Sequence, residues 1–318
     1  MDKRRTEVDQ MARRVAAMYR AHPFPNRQSV PPSKSDERYK FIYENFLHIP
    51  LDELKGKIFF DAGCGTGDVT WAFRRILDPK TRVCAIDISQ TSISIARQAC
   101  GSTTLQPIFT VGSLLDLGIA DHSVDMVLCS GVLVAVPDPD RAFRELVRIL
   151  KPGGYLVVIL YHKYGRALHG LRRAIIDLIE PEDIDRRAQL GRRLFGRSMK
   201  SFVREENAPL EGILYDQFGL PCESRYSVGQ ALRWFKEGGL RYLGMWPPIE
   251  WSQLGNGLRF SKQFAPMRQS WLFRLLLHIF PENAIAPDGP PAWTTRASMQ
   301  AVWALNQQQL FAISGRKE

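Results

Sequence analysis

The chain has 318 residues, of which 45% are hydrophobic and 24% are charged. That apolar fraction excludes disorder throughout the chain, and the length allows one large domain or two small ones. The formal net charge of +10 suits nucleic acid, an anionic membrane surface or an acidic substrate, and a scattered surplus of arginine on a protein surface explains it equally well.

The five cysteines are widely spaced and include no CxxC pair and no Cys/His cluster at zinc spacing. We expect free thiols and no bound metal. The first residues carry no apolar core of a signal peptide, and no stretch reaches the roughly 18 apolar residues of a spanning helix. The sequence therefore predicts a cytoplasmic protein without a transmembrane segment.

Residues 1–48 are predicted to form an N-terminal helical arm. Apolar residues recur at helical spacing from Asp2 to about Tyr19, at Val8, Met11, Val15 and Met18. Two prolines, Pro23 and Pro25, end this basic helix.

Residues 49–165 show short apolar runs that alternate with amphipathic segments. Strands are predicted over Ile58–Ala62, Arg82–Ile86, Ile108–Val111, Met126–Cys129 and Tyr155–Tyr161. Helices are predicted over Val69–Leu77, Thr91–Cys100 and Pro139–Leu150, with a turn at 151–154. Strands that alternate with helices indicate βαβ units and a mostly parallel sheet, so this region is predicted to be an α/β core.

The alternation stops after about Gly165. An Arg-rich helix is predicted over Leu171–Phe202 and a second helix over Val228–Glu237, so residues 166–238 form an inserted helical cap. Strands at Leu240–Trp246 and Leu310–Arg316 return residues 239–318 to the core sheet, with an irregular Trp/Pro-rich excursion between them.

A glycine-rich turn, Gly63-Cys-Gly65-Thr-Gly67, joins the first predicted strand to the first helix of the core. Glycine lets a ligand approach the backbone, and a helix N-terminus favours an anionic group such as a carboxylate. The spacing is shorter than the Gly-x-Gly-x-x-Gly fingerprint that seats a pyrophosphate. Asp61 before the turn suits a cationic group, and Asp87 after the second strand suits ribose hydroxyls. These features predict S-adenosylmethionine (SAM) as the ligand.

Together with the segments 121–127 and 150–154, this turn makes the chain resemble class I SAM-dependent methyltransferases from about Ile58 to Tyr161. The resemblance implies a Rossmann-like, mostly parallel sheet of seven strands with the cap inserted. It also implies that SAM, and its product S-adenosylhomocysteine, are bound by Asp61, Gly63, Gly65, Gly67, Asp87, Ile88, Ser113, Leu114, Ser130 and Gly131.

Three residues are candidates for catalysis. His162 follows the fifth predicted strand, where ligands gather in open α/β sheets, and we expect it to be the general base; its alternative role is to cap or pack a loop. Tyr161 would orient an acceptor. Tyr19 begins a segment, 19–25, that resembles a tyrosine- and proline-rich lid of some of these methyltransferases, although a docking arm is the alternative.

Asp216 and the late tryptophans concern the acceptor. Asp216 is either a polar contact in the acceptor pocket or a cap of a helix or turn. Six of the seven tryptophans follow the predicted cofactor half and could line an aromatic acceptor pocket. The amphipathic stretch 270–280 could instead touch a membrane surface or close a homodimer.

The resemblance implies a SAM-dependent methyltransferase, a transferase that acts on a small, largely apolar or aromatic metabolite through an O or N acceptor atom. A tRNA or other RNA methyltransferase is the first alternative, supported by the Arg-rich stretch 186–204. Acidic residues at 177–185 dilute that charge, so nucleic acid is not favoured. A SAM-binding protein of this fold that does not methylate is the second alternative.

Overall fold

A computed structural model describes residues 2–25, 34–99, 105–199, 208–247, 293–305 and 308–318. In these ranges the helices are α1 (Asp2–Ala21), α2 (Lys34–Asn45), α3 (Asp68–Ile76), α4 (Gln90–Gln98), α5 (Pro139–Ile149), α6 (Ala167–Ile179), α7 (Ile184–Phe195), α8 (Leu210–Leu214), α9 (Val228–Glu237) and α10 (Trp293–Leu305). The strands are β1 (Ile58–Ala62), β2 (Arg82–Asp87), β3 (Ile108–Val111), β4 (Val124–Ser130), β5 (Leu150–Tyr161), β6 (Leu240–Trp246) and β7 (Leu310–Lys317). Short 3₁₀ turns cover Leu51–Leu54 and Gly196–Met199, and a π-helical turn covers Tyr215–Gly219.

The strands form one seven-stranded sheet in the order β3-β2-β1-β4-β5-β7-β6. Strands β1 to β5 are parallel, and β7 runs antiparallel between β5 and β6. The predicted Rossmann-like, mostly parallel sheet is confirmed. The strand order reverses between β1 and β4, and a crevice opens at the carboxyl ends of the strands at such a point.

The centre of the sheet is apolar on both faces because helices cover both sides. On one face, Phe59 of β1 stacks on Phe73 of α3 with 4.7 Å between the ring centroids. On the other face, Phe60 belongs to a cluster of buried residues that includes Phe143 of α5. This burial fixes the register of β1 and the position of its last residues.

The turn predicted at 151–154 is wrong, because these residues lie within β5. Val124 pairs with Leu150 and Met126 pairs with Tyr155, so the extra residues of β5 bulge out between two paired positions. Gly153 accommodates the bulge with a φ of +75°.

The helical segment predicted over 171–202 is divided into two helices and a 3₁₀ turn over its described residues. Helix α6 ends at Ile179, Pro181 follows in the break, and Asp183 caps α7 by accepting a hydrogen bond from the backbone N–H of Arg186. Helix α2 lies in the predicted helical arm, beyond its first helix, and α10 lies in the segment that was predicted to be irregular. Tyr43 of α2 and Trp303 of α10 are buried against the rest of the fold.

Among the described residues, none of the helices is both long enough and apolar enough to cross a bilayer. The predicted membrane or dimer segment at 270–280, together with Trp251 and Trp271, lies outside the described residues.

Replacing Phe59 by alanine is expected to lower the free energy of unfolding by about 3–5 kcal/mol, because the cavity lies at the centre of the sheet. Leu105→Ala, at an exposed position, is the control and should change it by no more than about 0.5 kcal/mol. Urea titration measures both, and similar losses for the two variants would contradict the assigned core.

Candidate functional site

One cavity of about 980 Å³ opens at the carboxyl ends of β1, β2, β4 and β5. Its walls come from the glycine-rich turn, from α1 and the residues that follow it, from the strand ends, and from the cap at Ile213–Gln217. The N-terminal arm and the cap thus meet over the crevice that the strand order creates.

The glycine-rich turn reaches the cavity wall with its backbone. Gly63 and Gly65 have φ values of +85° and +53° and line the cavity. A Cβ atom on Gly65 would lie 2.7 Å from the carbonyl oxygen of Phe24, so the turn and the N-terminal arm touch here. Glycine is therefore required at position 65 by both conformation and space.

Gly67 is a correction to the predicted cofactor site, because it does not line the cavity. It precedes α3 with a φ of +88°, and a Cβ atom there would lie 2.8 Å from the Cβ atom of Ala96. The third glycine of the motif therefore allows the start of α3 to pack closely against α4.

Asp87 at the end of β2 is oriented by two backbone donors. The N–H of Gly65 donates to its Oδ2 atom at 2.9 Å, and the N–H of Ser89 donates to its Oδ1 atom at 2.8 Å. Burial raises the pKa of Asp87, and the two backbone donors partly offset that rise. Each carboxylate oxygen keeps acceptor capacity for a ligand hydroxyl.

Asp61 at the end of β1 is buried and lines the same cavity. Burial raises its pKa to about 7, although the hydroxyl of Thr70 donates a hydrogen bond to its Oδ2 atom at 2.6 Å. The negative charge of Asp87 raises the pKa of Asp61 further. A cationic group bound beside these two carboxylates would offset both the desolvation cost of their charges and their mutual repulsion.

The other residues predicted to bind the cofactor are brought together on the cavity wall: Ile88, Ser113, Leu114, Ser130 and Gly131. Ser130 ends β4, and Gly131 follows it with a φ of +71° and donates its N–H to the carbonyl oxygen of Ile159. Ser113 and Leu114 lie beyond β3, so successive strand ends supply the wall.

The N-terminal arm connects the glycine turn with the cap. The hydroxyl of Ser89 donates to the carbonyl oxygen of Tyr19 at 3.0 Å, and Phe24 lines the cavity. His22 stacks on Tyr215 of the cap with ring centroids 3.3 Å apart. The arm therefore lies against both ends of the cavity.

Asp216 is the polar centre at the cap end. It is buried, and it accepts hydrogen bonds from the hydroxyls of Tyr19 (3.1 Å) and Tyr161 (3.3 Å) and from Nε2 of Gln217 (2.8 Å). Burial raises its pKa, against the nearby charge of Arg166. The sequence left Asp216 open as a pocket contact or a cap, and the structure places it on the cavity wall.

Arg166 is a cavity residue that the sequence did not predict. Its guanidinium lies 3.8 Å from the ring centroid of Tyr161, and it donates to Gln217 and Glu223. Burial raises the pKa of Glu223, but a hydrogen bond with His169 and the nearby charges of Arg166 and Arg173 outweigh that effect and lower the pKa to about 2. The only signal in the sequence was its position just after the fifth strand.

His162 is a second correction, because it does not line the cavity. Neighbouring residues at a strand end point to opposite faces, so Tyr161 faces the cavity and His162 faces away. The ring lies against Trp303 and Phe311, and its Nδ1 atom accepts the N–H of Gly165 at 3.0 Å. Burial lowers its pKa to about 4. This geometry agrees with the alternative in which His162 packs a loop. It does not agree with a general base that reaches the acceptor.

The late tryptophans contribute less to the cavity than predicted. Among those whose side chains the structure describes, Trp246 lines the cavity, whereas Trp303 is buried against His162 and Trp234 stacks on Phe143. Over the same described ranges, no three His, Cys, Asp or Glu side chains cluster in a way that could hold a metal ion.

Residues 60–158 match a family model described as a methyltransferase domain, and they span the strands that form the glycine turn and the cavity wall. Residues 60–158 are thus a methyltransferase domain, similar to those of the class I SAM-dependent methyltransferases. The domain implies SAM as the cofactor.

This methyltransferase is 29% identical to an uncharacterized protein of Synechococcus sp. over 86% of its own length and 70% of that protein. It is 32% identical to the ubiquinone/menaquinone biosynthesis C-methyltransferase UbiE of Vibrio cholerae over 34% of its own length, and spans only 42% of that enzyme. A solved geranyl diphosphate C-methyltransferase from Streptomyces coelicolor aligns with a TM-score of 0.49 and 13% identity, covering 97% of this chain and 98% of that one.

Gly65→Ala is expected to weaken binding of S-adenosylhomocysteine by at least about tenfold, because the added methyl group would lie 2.7 Å from the carbonyl oxygen of Phe24 and force the turn and the arm apart at the cavity wall. Gly56→Ala is the matched control: its φ is +72°, but no atom lies within 4 Å of the added Cβ. It should cost stability and leave affinity unchanged. Calorimetry measures affinity, and equal affinity losses would contradict the assigned wall.

Affinity for SAM is expected to fall by up to about tenfold per pH unit below about pH 7. Acidification protonates Asp61, a neutral carboxyl no longer attracts a cation, and binding in this range must release a proton. Calorimetry between about pH 6 and about pH 8 in buffers of different ionisation enthalpy measures the release. Asp61→Asn should abolish this pH dependence; a wild-type affinity that is flat over the range would exclude Asp61 as the cation partner.

Proposed function

We propose that this methyltransferase transfers the methyl group of SAM to a small, largely apolar or aromatic molecule through an oxygen or nitrogen atom that loses a proton. The observation that carries the proposal is the continuity of the cavity. One space joins Asp61 and Asp87 at the glycine turn to the Tyr19–Asp216–Tyr161 group at the cap.

The chain's own residues fit SAM at the first end of this space. The buried carboxylate of Asp61 suits the cationic end of the ligand, and the oriented carboxylate of Asp87 suits the two ribose hydroxyls. Gly63 and Gly65 present their backbone to this end of the space. When bound, SAM supplies an electrophilic methyl group, and the electrons of the broken carbon–sulfur bond stay on sulfur.

The second end of the space suits a small acceptor. Apolar side chains from α1 and from the loop after β4, such as Val15, Val132 and Val136, share the wall with the polar group around Asp216. Apolar walls exclude water and favour an apolar or aromatic body, while a few polar groups fix its orientation. The name of the Vibrio relative, a quinone-biosynthesis C-methyltransferase, agrees with a ring-bearing acceptor, but that match covers the cofactor half alone.

Asp216 is the group in this cavity that can take the acceptor's proton. Its oxygens already accept the hydroxyl protons of Tyr19 and Tyr161, so a phenol that receives a proton from the acceptor can pass its own to Asp216. Burial raises the pKa of Asp216, which makes its carboxylate a stronger base than an exposed one. Tyr19 belongs to the N-terminal arm, so the relay is complete only with the arm in place.

The decisive experiment supplies SAM with an isotope-labelled methyl group to the protein in a cell extract. Label is expected in the small-molecule filtrate. Label in the RNA fraction would establish the RNA alternative. No label in any fraction, with S-adenosylhomocysteine still bound in calorimetry, would establish a SAM-binding protein that does not methylate.

Asp216→Asn is expected to reduce labelling of the filtrate by about a hundredfold while affinity for S-adenosylhomocysteine stays within about threefold. Asparagine keeps the shape and the acceptor atom but cannot take a proton. Asp183→Asn is the matched control, because Asp183 caps α7 outside the cavity and asparagine also caps. Equal labelling by Asp216→Asn and wild type would remove Asp216 as the base.

A further inference from the structure

One solvent-facing side of α6 and of the turn before it is lined by uncharged residues, whereas the exposed Asp177 and the half-buried Arg172 of the same helix lie outside it. Eight uncharged residues share this side, which we call the α6 face: Tyr164, Ala167, Leu168, Leu171, Ala174, Ile175, Leu178 and Ile179. At about 100° per residue they cover an arc of roughly 140°. Leu171 is 60% exposed and Leu178 is 86% exposed. Apolar residues scattered singly on a surface are ordinary, but a continuous stripe of this kind marks an interaction surface.

The opposite side of α6 explains why the helix is held with this face outward. His169, Arg173 and Ile176 are buried, and Arg173 donates hydrogen bonds to the carbonyl oxygens of Gln217 and Leu220. The helix therefore cannot rotate to bury the α6 face without breaking these contacts.

One edge of the α6 face is basic. Arg172 lies at that edge, 5.7 Å from the ring centroid of Phe195 in the last turn of α7. Close by in sequence are exposed Arg192, Arg193 and Arg197. Within the described ranges, none of these four arginines forms an ion pair.

Three of the five acidic residues between positions 177 and 185 pair with arginines at the start of α7. Asp177 pairs with Arg187, and Glu180 and Asp183 pair with Arg186, all at the connection between α6 and α7. The other end of α7 therefore keeps its positive charge. The sequence alone could not distinguish the paired arginines from the unpaired ones, because the pairing depends on which arginines contact the acids in the folded chain.

We propose that the α6 face docks on an anionic lipid bilayer, with its leucine and isoleucine side chains among the acyl chains and the arginines of α7 at the headgroups. An apolar helical stripe bordered by arginine is the pattern of an element that lies in the membrane interface. Each basic residue near an anionic surface adds about fivefold to binding.

Two other occupants suit the α6 face less well. A helix of 13 residues presents about 20 Å by about 10 Å, far less than the roughly 800 Å² per partner of a stable protein interface. A second copy would also bring the same four arginines against one another. Nucleic acid would use the arginines but would gain nothing from the leucines.

Flotation of the full-length protein with vesicles tests the proposal. Binding is expected to vesicles of phosphatidylcholine with phosphatidylglycerol, to weaken as salt rises, and to be absent with phosphatidylcholine alone. Absence of binding to the anionic vesicles would overturn the proposal. Binding at equal strength to both vesicle types would overturn the role of the arginines.

Two pairs of variants separate the apolar from the charged contribution. Leu171→Ser with Leu178→Ser should weaken vesicle binding by about a hundredfold, while the control Leu105→Ser with Ile108→Ser, also exposed but on the β3 side, should not. Arg192→Ser with Arg193→Ser should weaken binding by about 25-fold. Its control, Arg233→Ser with Lys236→Ser on α9, removes the same charge elsewhere and should change binding little.

The remaining outcomes also decide the matter. Vesicle binding that survives the leucine variant would assign it to another part of the chain. A dimer in light scattering that the leucine variant dissociates, without vesicle binding, would assign the α6 face to a second copy. Calorimetry with S-adenosylhomocysteine keeps this test apart from the proposed function, because the α6 face lies outside the cofactor wall and all variants should bind the ligand normally.

Discussion

Two carboxylates at neighbouring strand ends, one buried and one half-buried, are the constraint on which the functional site depends. Asp61 and Asp87 lie where β1 and β2 stop, and both line the cavity. Backbone N–H groups and one threonine hydroxyl hold them in place, yet burial still raises the pKa of both. Such an arrangement is costly for the protein alone and favourable for a ligand that brings positive charge and hydroxyl groups.

The N-terminal arm extends this constraint to the acceptor end of the cavity. Tyr19 contacts the region after β2 through its carbonyl oxygen and contacts Asp216 of the cap through its hydroxyl. One residue thus joins cofactor wall and cap, so an arm in place completes both at once. The polar group that results, in an otherwise apolar wall, distinguishes the proposed acceptor end from a general apolar pocket.

The cap also carries the proposed bilayer surface. Its inward surface supplies Asp216 and Arg166 to the cavity, and its outward surface carries the α6 face. Arg166 immediately precedes α6, so the acceptor wall and the proposed bilayer surface belong to one continuous element. An acceptor dissolved in a bilayer would meet the protein on this side, which agrees with the apolar lining of the cavity.

The sequence by itself determined the core sheet and brought the proposed cofactor residues to one end of the cavity. Apolar runs, glycines and strand-end acids are local patterns with local causes, and they placed Asp61, Gly63, Gly65 and Asp87 correctly on one wall. Only the tertiary structure decided the rest, because those contacts join distant segments. Tyr19 meets Asp216 across 197 positions of the chain. Side chains alternate along a strand, so Tyr161 at the end of β5 faces the cavity, whereas His162, one residue later, points into the core.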